Sequence, residues 1–173
     1  MISVLALDID GVLTDGKVTL DESGSELKTV SYRDIDAVFL AQRRGVQLVL
    51  VTGETSPWVD MIARRLEIKY VYQGAKDKCR ALQNICADLG IDLNEVCYVG
   101  DSMRDVGALA MVGLGLVPAD ASPAARAVAH RVLKHGGGNG AVAEAVEMVL
   151  QTLEQASVEN HEKRAVPVYR LVK

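Results

Sequence analysis

Apolar residues along this chain fall into short runs alternating with stretches in which they recur every third or fourth position. The runs at 3–7, 47–51, 69–72, 96–99 and 113–117 predict strands, and the helical spacing at 35–44, 57–66, 76–89 and 104–111 predicts the elements between them. Strand and helix in strict alternation predict a parallel sheet covered on both faces, an α/β fold of the Rossmann-like, doubly wound kind. One stretch breaks the rhythm. Between the first strand and the first helix, Val18, Leu20, Leu27 and Val30 flank the polar turn Asp21-Glu22-Ser23-Gly24-Ser25, which predicts a β-hairpin flap. No repeat, low-complexity tract or linker interrupts the rest, so no separate cap domain is expected. The apolar rhythm fades after Gln151, dividing the chain into a domain over 1–152 and a tail over 153–173.

Composition narrows the partners. A chain of 173 residues that is 49% hydrophobic can bury a sizeable core. Its net charge of -4 and pI near 5.4 supply no basic field for nucleic acid. No apolar run is long enough to span a bilayer and the first residues carry no leader pattern, so the expected location is cytoplasmic, with no membrane partner. Cys79, Cys86 and Cys97 show no metal-binding spacing and are expected to be reduced packing residues. The histidines His130, His135 and His161 show none either.

The chemistry gathers at the ends of the predicted strands. The first delivers Asp8 and Asp10, one residue apart, followed at once by Gly11. The second ends in Thr52-Gly53-Glu54, Lys78 lies near the start of the helix after the third, and the fourth ends in Gly100-Asp101-Ser102 with Asp105 close behind. In open α/β sheets, ligands bind in the crevice at the carboxyl ends of the strands. A nucleophilic carboxylate, a hydroxyl, an ammonium and further carboxylates at that edge suit phosphoryl transfer through an aspartyl-phosphate. Acids so crowded repel one another unless a cation sits among them, and hard oxygen ligands favour Mg²⁺.

Each residue alone has a plainer explanation. The acid pair could close a strand as an Asx turn, Thr52 could cap a helix, Lys78 could be solvated, and Asp101 and Asp105 could stabilise a helix dipole. Together and in this order, Asp8-x-Asp10, Thr52-Gly53, Lys78 and Gly100-Asp101 with Asp105 resemble the motifs of the haloacid dehalogenase superfamily of phosphatases. The absence of a cap, the flap, Tyr72-Gln73-Gly74 and the run Gly136 to Val142 resemble the branch acting on 2-keto-3-deoxy sugar acid phosphates.

The resemblance implies a role for each residue. Asp8 would be the nucleophile and Asp10 the acid and base. Asp8, Asp10 through its backbone carbonyl, and Asp101 would hold Mg²⁺, with Asp105 steadying them. Thr52, Gly53 and Lys78 would bind the phosphoryl group. Glu54 follows Thr52-Gly53 where the eight-carbon octulosonate enzymes usually carry arginine, which places the nine-carbon nononate 9-phosphate ahead of octulosonate 8-phosphate as expected substrate. Arg65 would accompany Glu54 in binding it. Arg33 joins them as a candidate, although Arg33, Asp34 and Asp36 could equally form a capping cluster. Ser102 stands where the pattern often has a second acid, leaving the metal shell open to rearrangement. In this branch subunits assemble as tetramers that close one another's sites, so a homotetramer is expected.

Two other classes compete. A signalling receiver domain has similar groups, but carries its phospho-accepting aspartate after the third strand rather than the first. A catalytically silent oligomerisation module of the same fold would be told apart by turnover.

Overall fold

The structure, a computed structural model, describes residues 1–164, with side chains to residue 157. In chain order the elements are β1 (Val4–Leu7), β2 (Thr19–Leu20), β3 (Glu26–Leu27), α1 (Tyr32–Arg43), β4 (Gln47–Val51), α2 (Pro57–Arg65), β5 (Tyr70–Tyr72), α3 (Lys78–Leu89), β6 (Val96–Val99), α4 (Val106–Met111), β7 (Leu114–Val117), α5 (Pro123–Val128), β8 (Arg131–Val132) and α6 (Ala141–Arg164). Six strands form one sheet in the order β5-β4-β1-β6-β7-β8, and every pairing in it is parallel. Numbered along the sheet-forming chain, that is the doubly wound order whose direction reverses between β1 and β6. The crevice therefore opens where β1 and β6 end, beside Asp8 and Asp101.

Residues in the strands alternate between two cores. Leu5, Leu7, Leu48, Leu50, Cys97 and Val99 face α1, α2 and α6, whereas Val4, Ala6, Val49, Val51, Val96 and Tyr98 face α3, α4 and α5. Cys86 and Cys97 are buried, Cys79 is partly buried, and all three are free thiols. The expected flap is present as the antiparallel pair β2–β3. Its turn is set by Asp21, whose Oδ1 accepts from the Ser23 and Ser25 amides at 2.9 and 2.8 Å. No helix among the described residues is long and apolar enough to cross a membrane.

The chain departs from the expected elements mainly after β7. There α5 and the two-residue β8 complete the far edge of the sheet. Helix α6 runs across the expected 152/153 boundary to Arg164, so the fading apolar rhythm does not mark the end of the helix. The rest of the expected tail, 165–173, lies outside the described residues.

The start of α6 is fixed from far away in sequence. Asp34, fully buried on α1, accepts from the Gly140 amide at 3.0 Å and the Ala143 amide at 2.9 Å. It thus satisfies two otherwise orphaned donors at the amino end of α6. Of the capping cluster expected at 33–36, Asp34 does cap a helix, but a different one, while Asp36 is exposed. The glycine run before α6 packs behind the acid pair: a Cβ at Gly137 would stand 2.0 Å from the Gly11 carbonyl oxygen, and Gly138 donates its amide to Val12 O at 2.9 Å. Asp34→Ala should therefore lower stability by about 3 kcal/mol, because it strands buried amides, whereas Asp36→Ala should change it by less than about 0.5 kcal/mol. Urea unfolding of both variants measures this.

Candidate active site

The turn after β1 puts its acids at the crevice. Asp8 ends the strand with its amide on Val99 O at 3.0 Å, and its Oδ1 accepts from the Ile9 amide at 2.8 Å. Gly11 then takes a left-handed φ of 80°, which a side chain would resist, and its bare Cα admits Asp101: a Cβ there would lie 2.2 Å from Asp101 Oδ2.

Lys78, the first residue of α3, is 4% exposed and points back under the acids. Its ammonium lies 2.7 Å from Asp8 Oδ2 and donates to Val51 O at 3.0 Å and to the Tyr98 hydroxyl at 3.2 Å, with Asp105 Oδ1 at 3.4 Å. Tyr98 in turn donates to Asp105 Oδ1 at 2.6 Å. The other oxygen of Asp105 accepts from the Asp101 and Ser102 amides at 3.1 and 2.9 Å and from the Ser102 hydroxyl at 2.8 Å. Ser102, where a second acid was the pattern, thus donates to Asp105 and orients it.

Thr52 directly follows β4, almost wholly buried, and its Oγ1 accepts from the Glu54 amide at 3.1 Å. That leaves the hydroxyl hydrogen free to donate into the cavity.

Burial pushes the Asp8 carboxyl up to about 7, with Lys78 opposing and the Asp105 charge adding to the rise. Burial and Asp105 likewise push Asp101 up to about 6. Asp105 itself is drawn below its usual range, its burial outweighed by the Lys78 charge and by hydrogen bonds from Tyr98 and Ser102. Asp8, Asp101 and Asp105 place one oxygen each within 4.8 Å of one another. Asp105 is fully buried behind the cavity, whereas Asp8 and Asp101 line it, so Asp8 and Asp101 are the pair placed to meet an ion. Two neighbouring carboxylates whose charged forms burial disfavours, all donors being hard oxygens, fit a divalent ion such as Mg²⁺.

The cavity over these groups has a volume of about 620 Å³. Of the candidate residues, Asp8, Asp10, Thr52, Gly53, Glu54, Lys78 and Asp101 line it, and Asp105 sits behind them. Arg33 and Arg65 do not line it. The guanidinium of Arg65 lies 5.9 Å over the Tyr32 ring. Arg33 Nη1 lies 3.2 Å from His135 Nε2, and His135 Nδ1 lies 2.8 Å from Glu144 Oε2. Since guanidinium can only donate, Nε2 accepts and Nδ1 donates to Glu144.

Other residues of the site were not foreseen. Lys76 and Arg104 also line the cavity, and Tyr98 links Lys78 to Asp105 beneath it. Tyr98 reads in sequence as one more apolar strand residue. Lys28, from the flap, reaches Asp10 Oδ1 and Glu54 Oε2, each at 2.7 Å. A lysine between two acids distant in sequence carries no local signal.

A buried carboxylate paired with lysine, a hydroxyl free to donate and a second acid beside an ion site define a hydrolase that works by phosphoryl transfer. Comparison with known proteins gives the same class. The model of the haloacid dehalogenase-like hydrolases matches residues 26–113. The 3-deoxy-D-manno-octulosonate 8-phosphate phosphatase KdsC of Yersinia pestis is 34% identical over 149 residues, 86% of this chain and 80% of that protein. The enzyme of that name from Escherichia coli K12 is also 34% identical, over 86% of this chain and 79% of its own. Among solved structures, 3-deoxy-D-manno-octulosonate 8-phosphate phosphatase from Moraxella catarrhalis, in complex with magnesium, phosphate and KDO, superposes with a TM-score of 0.84 at 32% identity, covering 92% of this chain and 93% of that one. A putative hydrolase of subfamily III A from Legionella pneumophila gives a TM-score of 0.86 at 32% identity, covering 94% and 90%. The chain belongs to the haloacid dehalogenase-like hydrolases.

The raised acids make a prediction about pH. Without a metal, folded Asp8 and Asp101 keep protons that the unfolded chain releases near the ordinary aspartate value of 3.8, so their contribution to stability falls as pH rises from about 4 to about 7 and levels off above it. Mg²⁺ should therefore raise the unfolding temperature more above about pH 7 than near about pH 5. Thermal scans with and without Mg²⁺ check this, and equal shifts at both would contradict it.

Proposed function

We propose that this hydrolase is a Mg²⁺-dependent phosphatase that cleaves 3-deoxy-octulosonate 8-phosphate through an aspartyl-phosphate on Asp8. The observation that carries the proposal is the buried Asp8–Lys78 pair at the sheet's switch point, facing a cavity that also holds Asp10, Thr52 and Asp101. A carboxylate with one oxygen fixed by an amide and the other by an ammonium is aimed rather than free, which favours in-line attack.

In the first half-reaction an Asp8 oxygen bonds to phosphorus as the bond to the sugar oxygen breaks, and Asp10 passes its proton to that departing oxygen. In the second, Asp10 takes a proton from water, the water oxygen bonds to phosphorus, and the bond to Asp8 breaks, releasing phosphate and restoring the carboxylate. Thr52 and the Gly53 amide donate to the phosphoryl oxygens, and Lys78 balances their charge. Mg²⁺, held by Asp8, the Asp10 carbonyl and Asp101, would neutralise charge that builds on the transferring group. Asp105, fixed by Tyr98 and Ser102, keeps Lys78 and the Asp101 backbone in place.

The preference between sugars is reversed from that drawn from Glu54. The relatives carry the name of the eight-carbon enzyme, and Glu54 has one oxygen engaged by Lys28 rather than offered to a sugar. Arg33 and Arg65 are not contacts of the chain's own cavity in this reading. The open mouth is closed by assembly, as a cytoplasmic homotetramer whose flaps bury Val18, Leu20 and Leu27. Those side chains are 71%, 61% and 53% exposed in the single chain, which supports this part.

Phosphate release from octulosonate 8-phosphate and nononate 9-phosphate, measured in parallel with Mg²⁺, tests the proposal. The eight-carbon ester should win by about 10-fold or more in kcat/KM, and Asp8→Asn should abolish both activities. A nine-carbon preference would restore the argument from Glu54. No turnover of either would return the silent module.

A further inference from the structure

Lys28 lies next to β3 in the flap, yet its side chain is only 4% exposed. Its ammonium rests 2.7 Å from Asp10 Oδ1 and 2.7 Å from Glu54 Oε2, with Glu26 Oε1 at 3.8 Å and the Trp58 ring centroid at 5.4 Å. Carboxylates on two sides and an aromatic face hold this charge within the molecule. Among the described residues Asp10 has no other side-chain partner, whereas Asp8 and Asp105 are each held by several groups.

The consequence concerns orientation. Lys28 occupies Oδ1 of Asp10, so Oδ2 is the oxygen left to carry the transferred proton. Glu54 is tied in turn to the rigid end of β4, since its amide donates to Thr52 Oγ1 at 3.1 Å. The chain of contacts therefore runs from the sheet through Glu54 and Lys28 to Asp10, and it fastens the flap along the way. General acid catalysis depends on the donor being held within hydrogen-bond reach of the departing atom, and a carboxylate free to rotate would lose that.

We infer that Lys28 is a positioning residue: it ties the flap to the body of the molecule through Glu54 and holds the Asp10 carboxylate in the pose from which it protonates the departing oxygen. This rests on Asp10 being the proton donor of the proposed phosphatase reaction. It also gives Glu54 a different part, as the anchor of Lys28 rather than a reader of the sugar.

The leaving group provides the test. When the phosphorus–oxygen bond of an alkyl ester breaks, the electron pair goes to an alkoxide that needs the Asp10 proton. In p-nitrophenyl phosphate it goes to a stable phenolate that does not. Lys28→Met, Lys28→Arg and Glu54→Gln are compared with the wild type by kcat/KM on octulosonate 8-phosphate, on a hexose 6-phosphate and on p-nitrophenyl phosphate. Lys17→Met, which removes a solvent-exposed flap lysine, is the control. Lys28→Met should lose about 100-fold on an alkyl ester and less than about 5-fold on the aryl ester. Lys28→Arg should recover part of the alkyl activity, and Glu54→Gln, which leaves the lysine in place, should show the same pattern more weakly. Equal losses on alkyl and aryl esters, or no loss on either, overturn the inference. Should the wild type accept the hexose ester and refuse the sugar acid, the substrate assignment fails while the alkyl-against-aryl comparison still decides the role of Lys28.

Discussion

Everything at this site depends on a lysine that water does not reach. Lys78 is held against Asp8 at 2.7 Å with Asp105 close behind, and the Val51 carbonyl and Tyr98 hydroxyl take its remaining protons. Removing one partner of such a buried pair leaves an uncompensated charge, at a cost of about 3–5 kcal/mol. The three elements that supply the partners, β1, β4 and β6, are adjacent in the sheet, so their register fixes the spacing of the charges. The pair is therefore at once a constraint on the fold and the contact that holds the Asp8 carboxylate in place at the crevice. Ionising Asp8 and Asp101 together is unfavourable in this setting, which is why an ion belongs there.

Much of this was legible along the chain, and the reason is local. Strands β4 and β6 coincide with apolar runs bounded by turn residues, and the acids, hydroxyl and lysine of the site sit at strand ends or on the first turn of a helix, where position follows from the element itself. What stayed hidden is nonlocal. Asp34 caps a helix that begins more than a hundred residues later, and the spacing around Asp34 says only that some helix could be capped. Tyr98 looks like any strand residue until its hydroxyl is seen between Lys78 and Asp105. Strand β8 has two residues, too few for a period, and it exists because β7 offers an edge. The apolar rhythm fades after Gln151, although Leu153 still packs on the core and the backbone continues as helix.

The substrate expectation shifted for a related reason. The sequence alone leaves Glu54 a candidate contact of the substrate, since a motif position says nothing of what approaches from the flap. The structure brings Lys28 to it, and a carboxylate already in an ion pair is poorly placed to discriminate sugars that differ by one hydroxylated carbon. The flap thus does two things with one short hairpin. Its lysine turns inward to Asp10 and Glu54, and its apolar side chains turn outward to solvent.

The account stands on Asp8 as the residue that takes up the phosphoryl group. Rapid acid quench of the Mg²⁺-loaded enzyme during turnover, followed by peptide mass spectrometry, tests this most directly. The account predicts one added phosphoryl group on the peptide containing Asp8, placed on Asp8 rather than Asp10 by fragmentation. Turnover with no phosphorylated peptide at any quench time, or with the phosphoryl group on another residue, would contradict it.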